Sequence, residues 1–110
     1  MAEPQMDAHT LVLLMRPAEP PQLDEAAVDA LQEQHLAFLQ ARRDDGVMAA
    51  AGPFHDRPDE RWRGMCIYLV DREQALQLAS DDPMVREGWL ELLALTWLTR
   101  PGELSYGPEV

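Results

Sequence analysis

Residues 33–54, EQHLAFLQARRDDGVMAAAGPF, decide the fold of this 110-residue chain. They contain the second half of an amphipathic helix, a glycine that ends it, a strand of small residues and a Gly-Pro-Phe triplet. The apolar face of the helix includes a histidine, because a turn of about 100° per residue brings it into line with aliphatic and aromatic side chains. That face consists of Ala27, Val28, Leu31, His35, Phe38 and Leu39. The role of His35 on a buried face is therefore the main question that the sequence raises.

The residues on either side of this stretch predict the order strand, helix, strand, strand, helix, strand. The helix is predicted over residues 24–46, since acidic residues suit its start and arginines followed by Gly46 suit its end. The other predicted elements are strands at 9–16, 47–51, 65–70 and 89–98, a helix after Asp71 that Asp82-Pro83 interrupts, and a short helical turn at 83–87. Residues 89–98 are apolar enough for a helix or a strand, and the strand is chosen because it completes the βαββαβ order.

That order is the plan of the ferredoxin-like fold, an α+β architecture. It predicts one domain with a four-stranded antiparallel sheet and both helices on one face. The strands are also rich in apolar residues on the side away from the helices, and a bare apolar face needs a cover. A second copy of the same sheet is the natural cover, so a homodimer is expected.

The charge of the chain excludes several classes of partner. The net charge is −11, with 20 acidic residues, nine arginines and no lysine. Such a surface repels phosphate backbones and anionic lipid, so neither nucleic acid nor membrane is expected as a partner. A Schiff-base lysine is excluded as well.

Neither a metal nor a cofactor is expected from the motifs. The single cysteine, Cys66, excludes an intrachain disulfide and a cysteine-rich zinc site. The three histidines lie in separate predicted elements without HxH or HExxH spacing, and no glycine-rich phosphate loop is present. The sequence has neither a secretory leader nor an apolar run long enough to span a bilayer, so a cytoplasmic location is expected.

Three segments carry a resemblance to a known family: LVLLMRP at 11–17, the stretch at 33–54, and DREQALQLASDDPMVREG at 71–88. With Trp97 in the closing strand, they resemble the YciI-like (YCII-related) domain family over residues 10–98. The resemblance implies a dimeric α+β barrel and an active site built on a histidine and an aspartate, which match His35 and Asp82 here. It also implies that dehydrochlorination of chlorinated aromatic diols is one chemistry among the relatives. Residues 55–64 depart from the family pattern, because they carry charged clusters and Trp62 where many relatives have a glycine-rich stretch.

Each candidate residue has a functional and a structural interpretation. His35 is either a general base or a core histidine with one satisfied hydrogen bond. Asp82 either orients His35 or caps the turn that begins at Pro83, and one carboxylate has an oxygen for each role. Arg16 either holds an anionic substrate or is a surface charge, and Gly52, Pro53 and Phe54 either line a pocket mouth or form a rigid turn.

Two functions follow from these alternatives. One is a cofactor-independent enzyme that transfers a proton on a small organic substrate, by elimination or isomerisation, with His35 as base and Asp82 holding the imidazole. The other is a non-catalytic dimeric module that binds a small ligand or a protein. A cofactor-independent monooxygenase is a third hypothesis that rests on fold analogy alone.

Overall fold

The ferredoxin-like α+β fold is confirmed by a computed structural model, which describes residues 5–104. Four antiparallel strands form one sheet in the order β2-β3-β1-β4. The elements in chain order are β1 (Asp7–Met15), α1 (Glu25–Asp44), β2 (Met48–Pro53), β3 (Trp62–Tyr68), α2 (Arg72–Ala79), α3 (Pro83–Arg86) and β4 (Glu91–Thr99). None of the helices among these residues has the length and apolar content needed to cross a membrane.

Local signals explain where α1 begins and ends. The side chain of Asp24 accepts a hydrogen bond from the backbone N–H of Ala27 at 2.8 Å, which caps the first turn and contributes about 1 kcal/mol. Gly46 then adopts a φ of 78°, a left-handed conformation that other residues adopt at a cost. Because this reversal comes immediately after the C-cap residue Asp45, the chain returns along the sheet as β2.

The core lies between the helices and one face of the sheet. Side chains of the sheet such as Val12, Cys66 and Ala94 are buried in one cluster with Leu31 of α1 and Ala75 of α2. The predicted apolar face of α1 is confirmed, since Leu31 and His35 are its buried residues. Leu36, predicted to lie off that face, is 54% exposed.

The opposite face of the sheet is apolar and carries no helix. Strand register pairs Leu11 with Ile67 and Leu95, and Leu13 with Met65 and Leu93. Leu93 and Leu95 are nearly half exposed. We call the surface formed by these residues the open sheet face.

The structure corrects the predicted strand boundaries. The turn interpretation of residues 52–54 is wrong for Gly52 and Pro53, which belong to β2 and pair with Met65 and Gly64 of β3. Proline is accepted there because β2 lies at the edge of the sheet, where a missing N–H breaks no ladder on the outer side. β3 begins at Trp62, inside the segment predicted as a loop, and β4 begins at Glu91.

Gly64 is the position where the sheet tolerates no side chain, and Gly64→Ala is expected to destabilise the fold. A Cβ there would lie 2.5 Å from the carbonyl oxygen of Gly52 and 3.1 Å from the Cα of Pro53, both backbone atoms. Moving the edge strand should lower the free energy of unfolding by about 1–3 kcal/mol, as measured by urea denaturation. Gly52→Ala is the matched control, because a Cβ there meets nothing within 4 Å. Equal stability of the two variants would contradict the prediction.

Candidate active site

A cavity of about 430 Å³ lies between α1 and the edge of the sheet formed by β1, β3 and β2. Most of its wall is apolar and comes from Leu14, Val28, Leu36, Leu39, Met84 and Leu90. Its polar side chains are Arg16, Gln32, His35, Arg57 and Arg63. A pocket of this size, mostly apolar with a few converging polar groups, has the usual character of a small-molecule site.

His35 reaches this cavity from the middle of α1. Its side chain is 10% exposed, and Nδ1 lies 2.6 Å from Oδ2 of Asp82, 47 residues further along the chain. The helix supplies the position because His35 follows Leu31 by one turn on the buried face. α3 packs against α1 and brings Asp82 to the ring.

Asp82 uses its two oxygens for two different partners. Oδ1 accepts a hydrogen bond from the backbone N–H of Met84 at 3.0 Å, which caps α3, and Pro83 occupies the start of that helix. Oδ2 accepts the hydrogen bond from His35. The side chain is buried, and the cap fixes its orientation. Asp82 therefore makes both of the interactions considered from the sequence: it caps α3 and it contacts His35.

This arrangement determines which nitrogen of His35 is available for chemistry. An ionised carboxylate only accepts hydrogen bonds, so Nδ1 carries the hydrogen and donates the hydrogen bond to Oδ2 of Asp82. In the neutral ring the lone pair then lies on Nε2. Within residues 5–104, Nε2 has no hydrogen-bond partner, and the ring is part of the cavity wall. The geometry is that of a general base or acid held by a carboxylate, although the catalytic role of the two residues stays a prediction.

The predicted substrate-binding residues divide between two places. Arg16, Gly52 and Pro53 line the cavity of His35. Phe54 does not; it contributes to a shallower cleft with Met65 and Ile67. Gly52 and Pro53 line that cleft as well, so the structure brings three of the four predicted binding residues to the cavity of His35 and places Phe54 only in the neighbouring cleft.

Sequence reasoning missed Arg57, Arg63 and Trp89, which also line the cavity. Arg57 and Arg63 belong to residues 55–64, the segment in which the chain departs from the family pattern. That departure was the one feature of the sequence that could have marked them as candidate site residues. Trp89 lies under Arg16, with the guanidinium carbon 3.9 Å from the ring centroid. Burial, and then the positive charges of Arg63 and Arg57, lower the pKa of Arg16. An arginine starts high enough to keep its charge at neutral pH despite such a shift.

Cys66 lies on the helix side of the sheet and is 2% exposed. Burial, and then the nearby charge of Asp82, raise the pKa of its thiol to about 12. The thiolate is the reactive form, and a raised pKa lowers its population at any pH below that value. Cys66 is therefore a core residue with low thiol reactivity.

Folded protein is expected to react negligibly with a thiol reagent such as Ellman's reagent at about pH 8. At that pH only about one thiol in ten thousand is ionised, and the sulfur is covered by the core. Unfolding in urea should release one equivalent of thiol quickly, which serves as the internal control. Rapid stoichiometric reaction of the folded chain would show that Cys66 is accessible.

No group of three or more His, Cys, Asp or Glu side chains within residues 5–104 is placed to hold a metal ion.

Comparison with known proteins gives one informative match. The family model of the YCII-related domain matches residues 10–97, which is most of the chain. The matched region includes His35, Asp82 and every residue that lines the cavity. A search of curated proteins finds no match.

Proposed function

The chain belongs to the YCII-related domain family, and from this membership and the cavity beside His35 we propose that the protein is an enzyme that transfers a proton on a small organic substrate. The reaction class is elimination or isomerisation. Neither changes the overall oxidation state, so neither demands a cofactor. His35 Nε2 takes the proton from the substrate or delivers it, and Asp82 holds the imidazole through Nδ1.

One observation carries this proposal: a buried His35–Asp82 contact of 2.6 Å in a ring that lines a cavity of about 430 Å³ and whose Nε2 has no hydrogen-bond partner within residues 5–104. A histidine that served only the core would have no need of an adjoining cavity. Positioned acid–base groups contribute about 10²–10⁴-fold in rate. The short Asp82 contact also stabilises the imidazolium that forms when the ring takes a proton. Gly52 and Pro53 would bring backbone close to the bound substrate.

Proton transfer can be detected before the natural substrate is known. Wild-type protein in deuterium oxide would be incubated with a panel of enolisable ketones, keto acids and chlorinated aromatic diols, and followed by NMR. We expect deuterium incorporation or elimination above the uncatalysed rate for at least one class. Saturable binding without any exchange would instead support the non-catalytic module and contradict the enzyme.

We also propose that a second copy of the chain covers the open sheet face. The support is the run of leucines paired across β1 and β4 there, with Leu93 46% and Leu95 48% exposed. Patches of this kind usually mark an interface, and a homodimer with twofold symmetry is the commonest solution.

Leu95→Asp is expected to dissociate this dimer, because an aspartate buried between two sheets has no partner charge. Sedimentation velocity at about 10 μM should show a dimer for wild type and a monomer for the variant, consistent with a loss of affinity of about 100-fold or more. Gln77→Asp is the control, since it adds the same charge at an exposed position of α2. A monomeric wild type, or equal association of both variants, would contradict the proposal.

A further inference from the structure

The charged side chains that line the cavity are positive, although the chain as a whole carries a net charge of −11. Three arginines, Arg16, Arg57 and Arg63, line the cavity together with His35, and no aspartate or glutamate of residues 5–104 does so. The three cations are close enough that Arg63 and Arg57 perturb Arg16 electrostatically. Gathering like charges without a counter-charge is unfavourable, so the arrangement favours an anion in this place.

Arg16 is held in position, but the residues that the structure describes offer no hydrogen-bond acceptor to its Nε. Its backbone N–H donates to the carbonyl of Arg61 at 2.7 Å, and the Arg61 side chain donates back to the carbonyl of Arg16 at 2.9 Å. Trp89 supports the guanidinium from one side. The buried Nε of Arg16 nevertheless has no hydrogen-bond partner within residues 5–104. A buried donor left unpaired is costly, and an acceptor on a ligand would satisfy it.

Arginines elsewhere in the chain provide the contrast. Those outside the cavity that pair with a carboxylate are Arg42 with Asp45, Arg61 with Glu91, Arg86 with Asp81, and Arg100 with Glu103. Within residues 5–104, Arg16 and Arg57 have no such pair. Arg63 lies 3.8 Å from the carboxylate of the exposed Glu60 and donates a hydrogen bond to the backbone carbonyl of that residue at 3.1 Å. Arg43 and Arg72 donate to the backbone carbonyls of Ala49 and Ala94. Within residues 5–104, four of the six arginines outside the cavity therefore pair closely with a carboxylate, whereas none of the three cavity arginines does.

We propose that Arg16, Arg57 and Arg63 bind a carboxylate of the substrate. The substrate class is accordingly small organic acids with an apolar body. This inference rests on the proposed function, because it names the substrate of the site at which His35 acts. The planar guanidinium fork matches the two oxygens of a carboxylate, and the leucine and methionine side chains of the cavity wall accept the apolar part. A carboxylate fixed at the arginines points the rest of the molecule along the cavity that contains His35.

Equilibrium binding tests the inference without reference to turnover. Isothermal titration would compare benzoate with benzamide, which has the same shape without the charge, and with phenyl phosphate. We expect saturable binding of benzoate, at least about tenfold weaker binding of benzamide, and no advantage for phenyl phosphate. Equal affinity for benzoate and benzamide would overturn the inference. So would phenyl phosphate binding tenfold more tightly than benzoate, because the site would then be one for phosphate esters.

Substitutions assign the binding to the cavity. Arg16→Gln and Arg57→Gln should each weaken benzoate binding by about 10- to 100-fold, as expected when a charge-assisted hydrogen bond is lost. Arg100→Gln is the control, since it removes one positive charge from an exposed pair with Glu103 and should change the affinity less than about twofold. Arg57 lies in the loop between β2 and β3, outside the sheet, so Arg57→Gln keeps the test decisive if Arg16→Gln fails to fold. If Arg16→Gln, Arg57→Gln and Arg100→Gln all bind benzoate as tightly as wild type, the inferred carboxylate site is wrong.

His35→Gln separates failure of this inference from failure of the proposed function. This is done by measuring benzoate binding and proton exchange separately on both wild type and His35→Gln. Carboxylate binding with no proton exchange on any acid would leave the subsite standing and reject the enzyme. Proton exchange on neutral substrates, with no preference for carboxylates, would leave the enzyme standing and reject the subsite.

Discussion

Replacing His35 by glutamine is expected to lower the rate of proton exchange on a responsive substrate by about 10²–10⁴-fold. His35 lines the cavity and is the proposed general base, and an amide cannot accept a proton at neutral pH. Glutamine is chosen because its NH₂ group can still donate to Oδ2 of Asp82, so the buried carboxylate keeps a partner. The measurement is the initial rate of deuterium incorporation under saturating substrate.

His55→Gln is the matched control for this variant. His55 is exposed and does not line the cavity, so the same chemical change there should leave the rate within about twofold of wild type. Thermal melts of both variants would show that the fold is kept. If His35→Gln is as active as His55→Gln, His35 is not the general base.

Replacing Asp82 by alanine is expected to lower the free energy of unfolding by about 2–4 kcal/mol. The change removes the cap of α3, which contributes about 1 kcal/mol. It also leaves Nδ1–H of a buried His35 without its acceptor, which costs about 1–3 kcal/mol more. Urea denaturation of wild type and variant measures the difference.

Two further variants divide that loss into its parts. Asp71→Ala removes a cap of the same kind from α2, where the side chain accepts from Gln74 at 2.8 Å and is exposed, so it should cost only about 1 kcal/mol. Asp82→Asn keeps an oxygen for the cap and should be nearly as stable as wild type, but its neutral amide cannot stabilise an imidazolium and should slow proton transfer by about tenfold or more. If Asp82→Ala costs no more than Asp71→Ala, the contact with His35 contributes nothing to stability.

The periodicity of α1 was enough to predict the environment of His35. A histidine one turn after Leu31 must point to the same side, and the helix packs that side on the sheet. The order of elements was enough for the topology, since few arrangements of βαββαβ avoid crossed connections. The contact with Asp82 was suggested by family resemblance and not by local pattern, because no rule of spacing joins residues 47 positions apart.

Other features depended on tertiary context that the sequence does not display. Gly52-Pro53 is a turn signal by composition, and only its place at the sheet edge makes it part of a strand. Arg57 and Arg63 come from a polar segment whose path over the cavity cannot be read from residue type. Their proximity to Arg16 depends on how β3 pairs with β1. The positive charge of the cavity could therefore not be predicted from the sequence, although each arginine could be identified there.

The most direct test is to observe the proton on the imidazole of His35. A long-range ¹H–¹⁵N spectrum of protein labelled at histidine, assigned with His35→Gln, distinguishes the two ring nitrogens. In the neutral ring the account predicts a protonated Nδ1, hydrogen-bonded to Asp82, and a bare Nε2 facing the cavity. A proton on Nε2 with Nδ1 bare would contradict it, because the ring would then have no basic nitrogen to offer a substrate.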